Sequence, residues 1–127
     1  MAASPAYAVG TTAATYTLQG VIQNEGYQNQ YPGARVKIRG YSRFANASNQ
    51  KVDADRITVH CYAHDALGGY TDEYDIDNDG GLVDVNFASN WVFGYGVYRI
   101  ITVNCFHHAT NNGVTYDTNS SVQIAIP

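Results

Sequence analysis

Apolar and polar residues alternate along most of the chain, and the alternation breaks wherever Gly, Asn, Asp or Pro cluster. A period of two is the signature of a strand with one buried face. Thr15 to Gln23 carries Tyr16, Leu18 and Ile22 on one side. Ala34 to Tyr41 sets Val36 and Ile38 against Arg35, Lys37 and Arg39. Arg56 to His64 directs Ile57, Val59, Cys61 and Ala63 inward, and Tyr70 to Ile76 directs Tyr74 and Ile76 inward. Leu82 to Phe87 buries Val83, Val85 and Phe87; Tyr98 to His108 buries Ile101, Val103 and Cys105; Ser121 to Ile126 ends with Val122, Ile124 and Ile126 in phase. No segment has a helical period.

These seven short strands, separated by turns such as Tyr31-Pro32-Gly33, Leu67-Gly68-Gly69 and Asn111-Asn112-Gly113, predict an all-β fold, an antiparallel sandwich of two sheets with one face of each buried. The 127 residues fit one domain, 1–127, without linker or repeat. Residues 1–14 read as a flexible N-terminal segment or a strand available for donation to another chain.

Composition sharpens the class. Hydrophobic residues make up 45% of the chain, enough for a core, while charged residues are only 14%, against roughly 25% in an average globular protein. Polarity comes from Asn, Gln, Thr, Ser and 11 Tyr, the balance of an extracellular β-protein. The net charge of −4 disfavours a general nucleic-acid binder, which needs cations to neutralise phosphates. No apolar run is long enough to enter a membrane as a spanning helix. Ala6-Tyr7-Ala8 has the small-x-small form of a signal-cleavage site.

Cys61 and Cys105 are the only cysteines, and both fall in the inward phase. They are expected to pair in an oxidising compartment, with a stabilisation of about 4 kcal/mol in the chain-entropy model. The nearby histidines do not make a zinc site. His60 and His64 alternate away from Cys61, and if Cys61 lies opposite Cys105 then His108 lies opposite Thr58 with His60 as its diagonal neighbour. Two histidines at most converge, fewer than a structural zinc needs.

DIDNDGGLVD, residues 75–84, is the candidate ion site. Asp75, Asp77 and Asp79 stand at positions 1, 3 and 5 of an EF-hand-like loop with Gly80 at position 6, but position 12 is Asn86 rather than Glu. A β-type Ca2+ loop with Asp84 as the later ligand is one reading. The other is a plain hairpin turn at Asp79-Gly80, in which Ile76 pairs with Val83 or Val85 and Asp84 is opposed to Asp75 or Asp77. A cation, or an arginine from the stripe Arg35, Lys37, Arg39 and Arg43, would relieve that repulsion. The stripe itself reads as a solvated or edge-protecting face, with an acidic glycan as its alternative ligand.

No nucleophile elbow, phosphate loop, dinucleotide fingerprint or HExxH motif is present, and nothing singles out a carboxylate pair such as Asp72 and Asp75 for acid–base work. The chain is therefore read as no enzyme. Loops rich in Tyr, Asn, Gln and Gly suit binding, because Tyr gives contact area at low entropy cost. Tyr27, Tyr31, Tyr95 and Trp91 are the candidate ligand residues, with a glycan or a surface protein as ligand.

Gly96-Val97-Tyr98-Arg99-Ile100-Ile101-Thr102-Val103, Asn111-Asn112-Gly113 and Ser121-Val122-Gln123-Ile124 together resemble the last hairpin of bacterial immunoglobulin-like domains, and Val36-Lys37-Ile38-Arg39-Gly40-Tyr41 resembles their second strand. The resemblance covers about 40 residues. It implies an immunoglobulin-like β-sandwich, secreted or at the cell surface, acting as a non-catalytic binding or adhesion module. It departs from antibody domains in having Val103, not Tyr, two residues before the second cysteine. The second reading is a structural subunit of a surface layer or filament that self-associates by strand addition, with Val9 to Thr17 as the donated strand.

Overall fold

The computed structural model describes residues 2–7, at the backbone level, together with 16–88, 90, 92–96 and 98–127. It is all-β, with two antiparallel sheets stacked face to face. The strands are β1 (Ala2–Tyr7), β2 (Tyr16–Gln30), β3 (Gly33–Asn46), β4 (Ala54–His64), β5 (Tyr70–Gly80), β6 (Leu82–Asn86), β7 (Phe93–Gly94), β8 (Arg99–Asn111) and β9 (Val114–Ile126). Sheet A runs β1-β2-β3-β6, with β7 also pairing to β3; sheet B runs β5-β4-β8-β9. β9 packs across from β1 and β2, and β5 lies beside β6, so the two sheets are stacked in matching order.

The two strands beyond the expected seven have simple origins. β7 is too short to show alternation. β1 pairs with the edge of β2 from Ala2↔Ile22 to Tyr7↔Thr17. The N-terminal segment thus serves as an edge strand of its own chain, and Ala6-Tyr7 of the cleavage-like motif is part of it. Residues 8–15, and with them most of the segment considered for donation, lie outside the described residues.

Six of the seven inward sets are found as read. Leu18, Ile22, Val36, Ile38, Phe44, Ile57, Val59, Val83, Phe87, Ile101, Val103 and Ile126 form one core with Cys61 and Cys105. Tyr16 stacks on Phe44 at 5.3 Å, and Phe44 meets Tyr116 edge-on at 5.1 Å. β8 and β9 turn through Asn112 and Gly113, with φ of 51° and 75°. A two-residue loop with both φ positive matches strand twist and selects Asn-Gly.

Cys61 and Cys105 form a disulfide, S–S 2.05 Å, between directly paired residues of β4 and β8. It joins neighbours within sheet B and points at sheet A. There Gly40 leaves the space: a β-carbon at Gly40 would lie 2.4 Å from the Cys61 Sγ and 2.8 Å from the Cys105 Sγ.

A polar stitch crosses the core beside it. His107, in the same inward row as Cys105, is buried with Ser42 and Ser120. Ser42 Oγ donates to the Thr58 carbonyl at 2.8 Å. Its single proton is thereby used, so at the 2.8 Å contact with His107 Nδ1 the ring donates and Ser42 accepts. Nε2 then accepts from the Ser120 hydroxyl at 2.7 Å. Burial pushes the His107 pKa down to about 4, which keeps the ring neutral as this pattern requires. All three groups are sealed from solvent, so the arrangement ties β3 to β4, β8 and β9.

β5 departs from expectation. Its register places Tyr74 opposite His60 and Asp75 opposite Val59, so Tyr74 and Ile76 face outward and Glu73 and Asp75 face the seam between the sheets. β5 is an edge strand, and polar groups at that seam find partners. Glu73 accepts from Asn90 Nδ2 at 3.0 Å, and Asp75 Oδ2 accepts from the Asp84 amide at 3.3 Å. Nor do β5 and β6 form a hairpin: β5 pairs with β4 and β6 pairs with β3. The Asp79-Gly80-Gly81 turn is where the chain crosses from sheet B to sheet A. Gly81 is needed there because a β-carbon would lie 2.3 Å from the Val52 carbonyl oxygen.

Candidate functional site

With β5 in this phase, the outer face of sheet B gathers aromatic rings. β5 contributes Tyr70 and Tyr74, β4 contributes His60 and Tyr62, and β8 contributes Phe106. Strand alternation puts each on the solvent side, and the registers His60↔Tyr74, His60↔Phe106 and His64↔Tyr70 bring them together. Tyr62 is the hub. Its ring centroid lies 4.2 Å from His60, 5.7 Å from Phe106 and 6.2 Å from Tyr70, and His60 lies 5.2 Å from Tyr74. Tyr70, Tyr74 and Phe106 are 54%, 50% and 48% exposed. Together the rings form a contiguous surface, exposed at Tyr70, Tyr74 and Phe106 and half-buried at His60 and Tyr62. From Tyr70 to Ile76 it extends about 20 Å along the strand.

Polar groups are fixed among the rings. Asp72 Oδ2 meets His60 Nε2 at 2.7 Å, and the Tyr62 hydroxyl meets His60 Nδ1 at 3.0 Å. Desolvation beside its neighbours, then Asp72 and Tyr62, raise the Tyr70 phenol above its usual pKa; like any phenol at neutral pH, its hydroxyl is protonated and can donate. At one end the face opens into a hollow of about 380 Å³ lined by His64, Asp65, Ala66, Ile100, Thr102 and Gln123. Asp65 is held there by the Leu67 and Gly69 amides and by the buried guanidinium of Arg99, 3.7 Å away. At the other end His108, opposite Thr58 as read from the sequence, meets Asp117 at 2.6 Å. His60 and His108 are each taken up by a carboxylate on the neighbouring strand.

The ligand residues picked from loop composition divide. Tyr31 and Tyr95 come together at 5.8 Å, edge to face, at the end of the sandwich. Tyr27 stands on β2 opposite Val36, and Trp91 lies outside the described residues. In the sequence the histidines of this face are weighed only as metal ligands, and the rings beside them are not singled out. The signal was present in His60, Tyr62 and His64 on one phase, but inverting the phase of β5 hid Tyr70 and Tyr74.

The four aspartates considered for Ca2+ are split between elements. Asp75, Asp77 and Asp79 belong to β5, and Asp77 packs over Gly80. Asp84, on β6, ion-pairs with Arg39 Nε at 2.8 Å. The opposed aspartate pair expected of a hairpin does not form, because the strands belong to different sheets. Asp84 is met by an arginine of the basic stripe. Among the described residues, no three His, Cys, Asp or Glu side chains gather in a cation-holding group.

No helix among the described residues is long and apolar enough to cross a membrane. No family model, curated protein or solved structure matches the chain.

Proposed function

We propose that the protein is an extracellular, non-catalytic binding module that takes carbohydrate on the outer face of sheet B. The observation that carries this reading is the contiguous chain of rings Tyr70–Tyr62–Phe106 and Tyr62–His60–Tyr74, exposed at Tyr70, Tyr74 and Phe106 and half-buried at Tyr62 and His60. Exposed apolar surface is costly to leave open, and a grouped patch rimmed by polar side chains marks a binding face. Rings with one apolar face and one polar tip suit a ligand that is itself two-sided, as a sugar is with its C–H faces and hydroxyl rim. The low rotamer entropy of Tyr keeps the ordering cost small. Asp72, the His60 imidazole and the lining of the adjoining hollow supply hydroxyl partners. The carboxylates of Asp72 and Asp117 disfavour uronate or sulfate groups on this face, so the ligand class is neutral polysaccharide. The disulfide is compatible with an oxidising, extracellular setting.

The test is affinity electrophoresis and calorimetry against a panel of neutral and anionic polysaccharides. Tyr62→Ala and Phe106→Ala are expected to weaken binding of a neutral polymer at least about tenfold, the order of one lost aromatic contact. Tyr31→Ala should leave it unchanged. Absence of binding across the panel, or loss through Tyr31 rather than Tyr62, would refute the assignment.

A further inference from the structure

The outer face of sheet A carries a regular device that the glycan reading does not use. Arg35, Arg39 and Arg43 stand four residues apart on β3, about 13 Å from one to the next. Each faces a glutamine directly across on β2: Arg35↔Gln28, Arg39↔Gln23 and Arg43↔Gln19. Each guanidinium bonds to that glutamine's Oε1. Arg43 is further held by the Asn49 side chain and carbonyl, and Arg39 lies over the Tyr41 ring at 4.7 Å. Amide partners fix the planar cations in place without cancelling their charge. On this row Arg39 pairs with a carboxylate, Asp84. With Lys37 between them, the face bears four of the chain's seven cations, in a molecule of net charge −4.

The complementary surface is on the same molecule. β5 carries Asp72, Glu73, Asp75, Asp77 and Asp79 with no lysine or arginine, and it is an open edge of sheet B. Among the described residues, none of these five carboxylates pairs with a lysine or arginine; Asp72 meets only His60. Asp72 stands among the rings, while Glu73, Asp75 and Asp77 alternate to the other side of the strand; the acidic strip from Glu73 to Asp79 runs about 20 Å, against about 27 Å for the basic row from Arg35 to Arg43. Among the described residues no ion pair joins the two strips.

We propose that the protein associates with itself head to tail, the arginine–glutamine row of one copy docking on the β5 edge of the next. The contact joins two different surfaces, so it leaves one of each free and propagates into open chains unless a rotation closes it. A second copy is favoured over a polyanion because the chain's net negative charge repels a uniformly anionic polymer, and because the row already contains a carboxylate of its own. This inference does not depend on the glycan reading; its test contains no carbohydrate.

Sedimentation of the wild-type protein should show mass rising with concentration at about 20 mM salt and return to the 13.8 kDa monomer at about 0.5 M, where the Debye length falls below about 5 Å. A face variant, Lys37→Glu with Arg43→Glu, and an edge variant, Asp77→Lys with Asp79→Asn, should each be monomeric alone at low salt. Asn is chosen at 79 because the residue there has φ of 57°. Mixed in equal amounts, the two variants should assemble again, since each retains the surface the other has lost. Such rescue also shows that both are folded. A wild type that stays monomeric at low salt overturns the proposal, as does assembly that survives both charge reversals or a mixture that fails to rescue. A monomer that is retained on a sulfated polysaccharide column, and released by the face variant, would assign the row to a polyanion instead.

Discussion

The imidazole of His107 on β8 lies against the bare α-carbon of Gly20 on β2: a β-carbon at position 20 would stand 2.2 Å from the ring's Cδ2 and 2.5 Å from Nε2. Glycine in a strand interior weakens the strand, so its presence needs a reason, and the ring is that reason. The same logic places Gly40 against the disulfide. Sheet A is cut away at two adjacent strands to receive the bulk that sheet B projects.

Gly20→Ala is therefore expected to destabilise the protein by about 1–3 kcal/mol, the usual cost of overpacking, although alanine in an open strand would help. Urea denaturation measures it. In a His107→Ala background the same substitution should cost much less, because the opposing ring is gone; equal costs in both backgrounds would show that the two residues are not coupled.

Stability should fall with acid in a window set by His107. Its folded pKa of about 4 lies below the ordinary 6.5, so between these values the unfolded chain binds a proton that the folded one refuses. The contribution is full above about pH 6.5 and is lost as pH falls, completely below about 4. Between pH 7.5 and 5, before most carboxylates protonate, the loss should be about 2 kcal/mol. Denaturation at each pH checks the loss, and the His107 ring resonances should not titrate above pH 5. A ring that titrates near 6.5 would contradict its burial.

Removing the disulfide by Cys61→Ala with Cys105→Ala closes no loop across the 44 residues of separation. It should cost up to about 4 kcal/mol, with cavity effects on top. Gly40→Ala offers the sharper check. It should be strongly destabilising in the oxidised protein, where sulfur stands 2.4 Å from the new methyl, and better tolerated in the double alanine variant. Guanidinium melts of the four proteins decide this.

Deleting residues 2–7 should leave the β2 edge from Thr17 to Ile22 without its partner. An exposed, unpaired edge templates association between chains. Light scattering of the truncated protein on mild heating should rise at a lower temperature than for the full chain, and unchanged scattering would show that β1 adds nothing to edge protection.

Much of the architecture was legible because core strands enforce alternation. Ile57, Val59 and Cys61, and Ile101, Val103 and Cys105, can face the core in only one phase, and that phase made the pairing of the two cysteines readable. β5 was misread for the opposite reason. At an edge, both phases find satisfaction, so Ile76 and Tyr74 gave no binding vote, and the polar partners that hold Glu73 and Asp75 come from Asn90 and Asp84 in distant or crossing segments. Asp79-Gly80 signals a reversal of direction, yet local chemistry does not say whether the chain returns beside the strand it left or passes to the other sheet.

The sequence by itself determined the class of fold, six of the seven inward rows, the Asn112-Gly113 turn and the Cys61–Cys105 bond, because each depends on period, local backbone preference or both. Only the tertiary structure decided which rings meet on sheet B, that Arg39 takes Asp84, and that Gly20 and Gly40 are sockets for His107 and the disulfide. Those relations join residues from different strands, and the register and stacking that bring them together are set by the packing of the whole core.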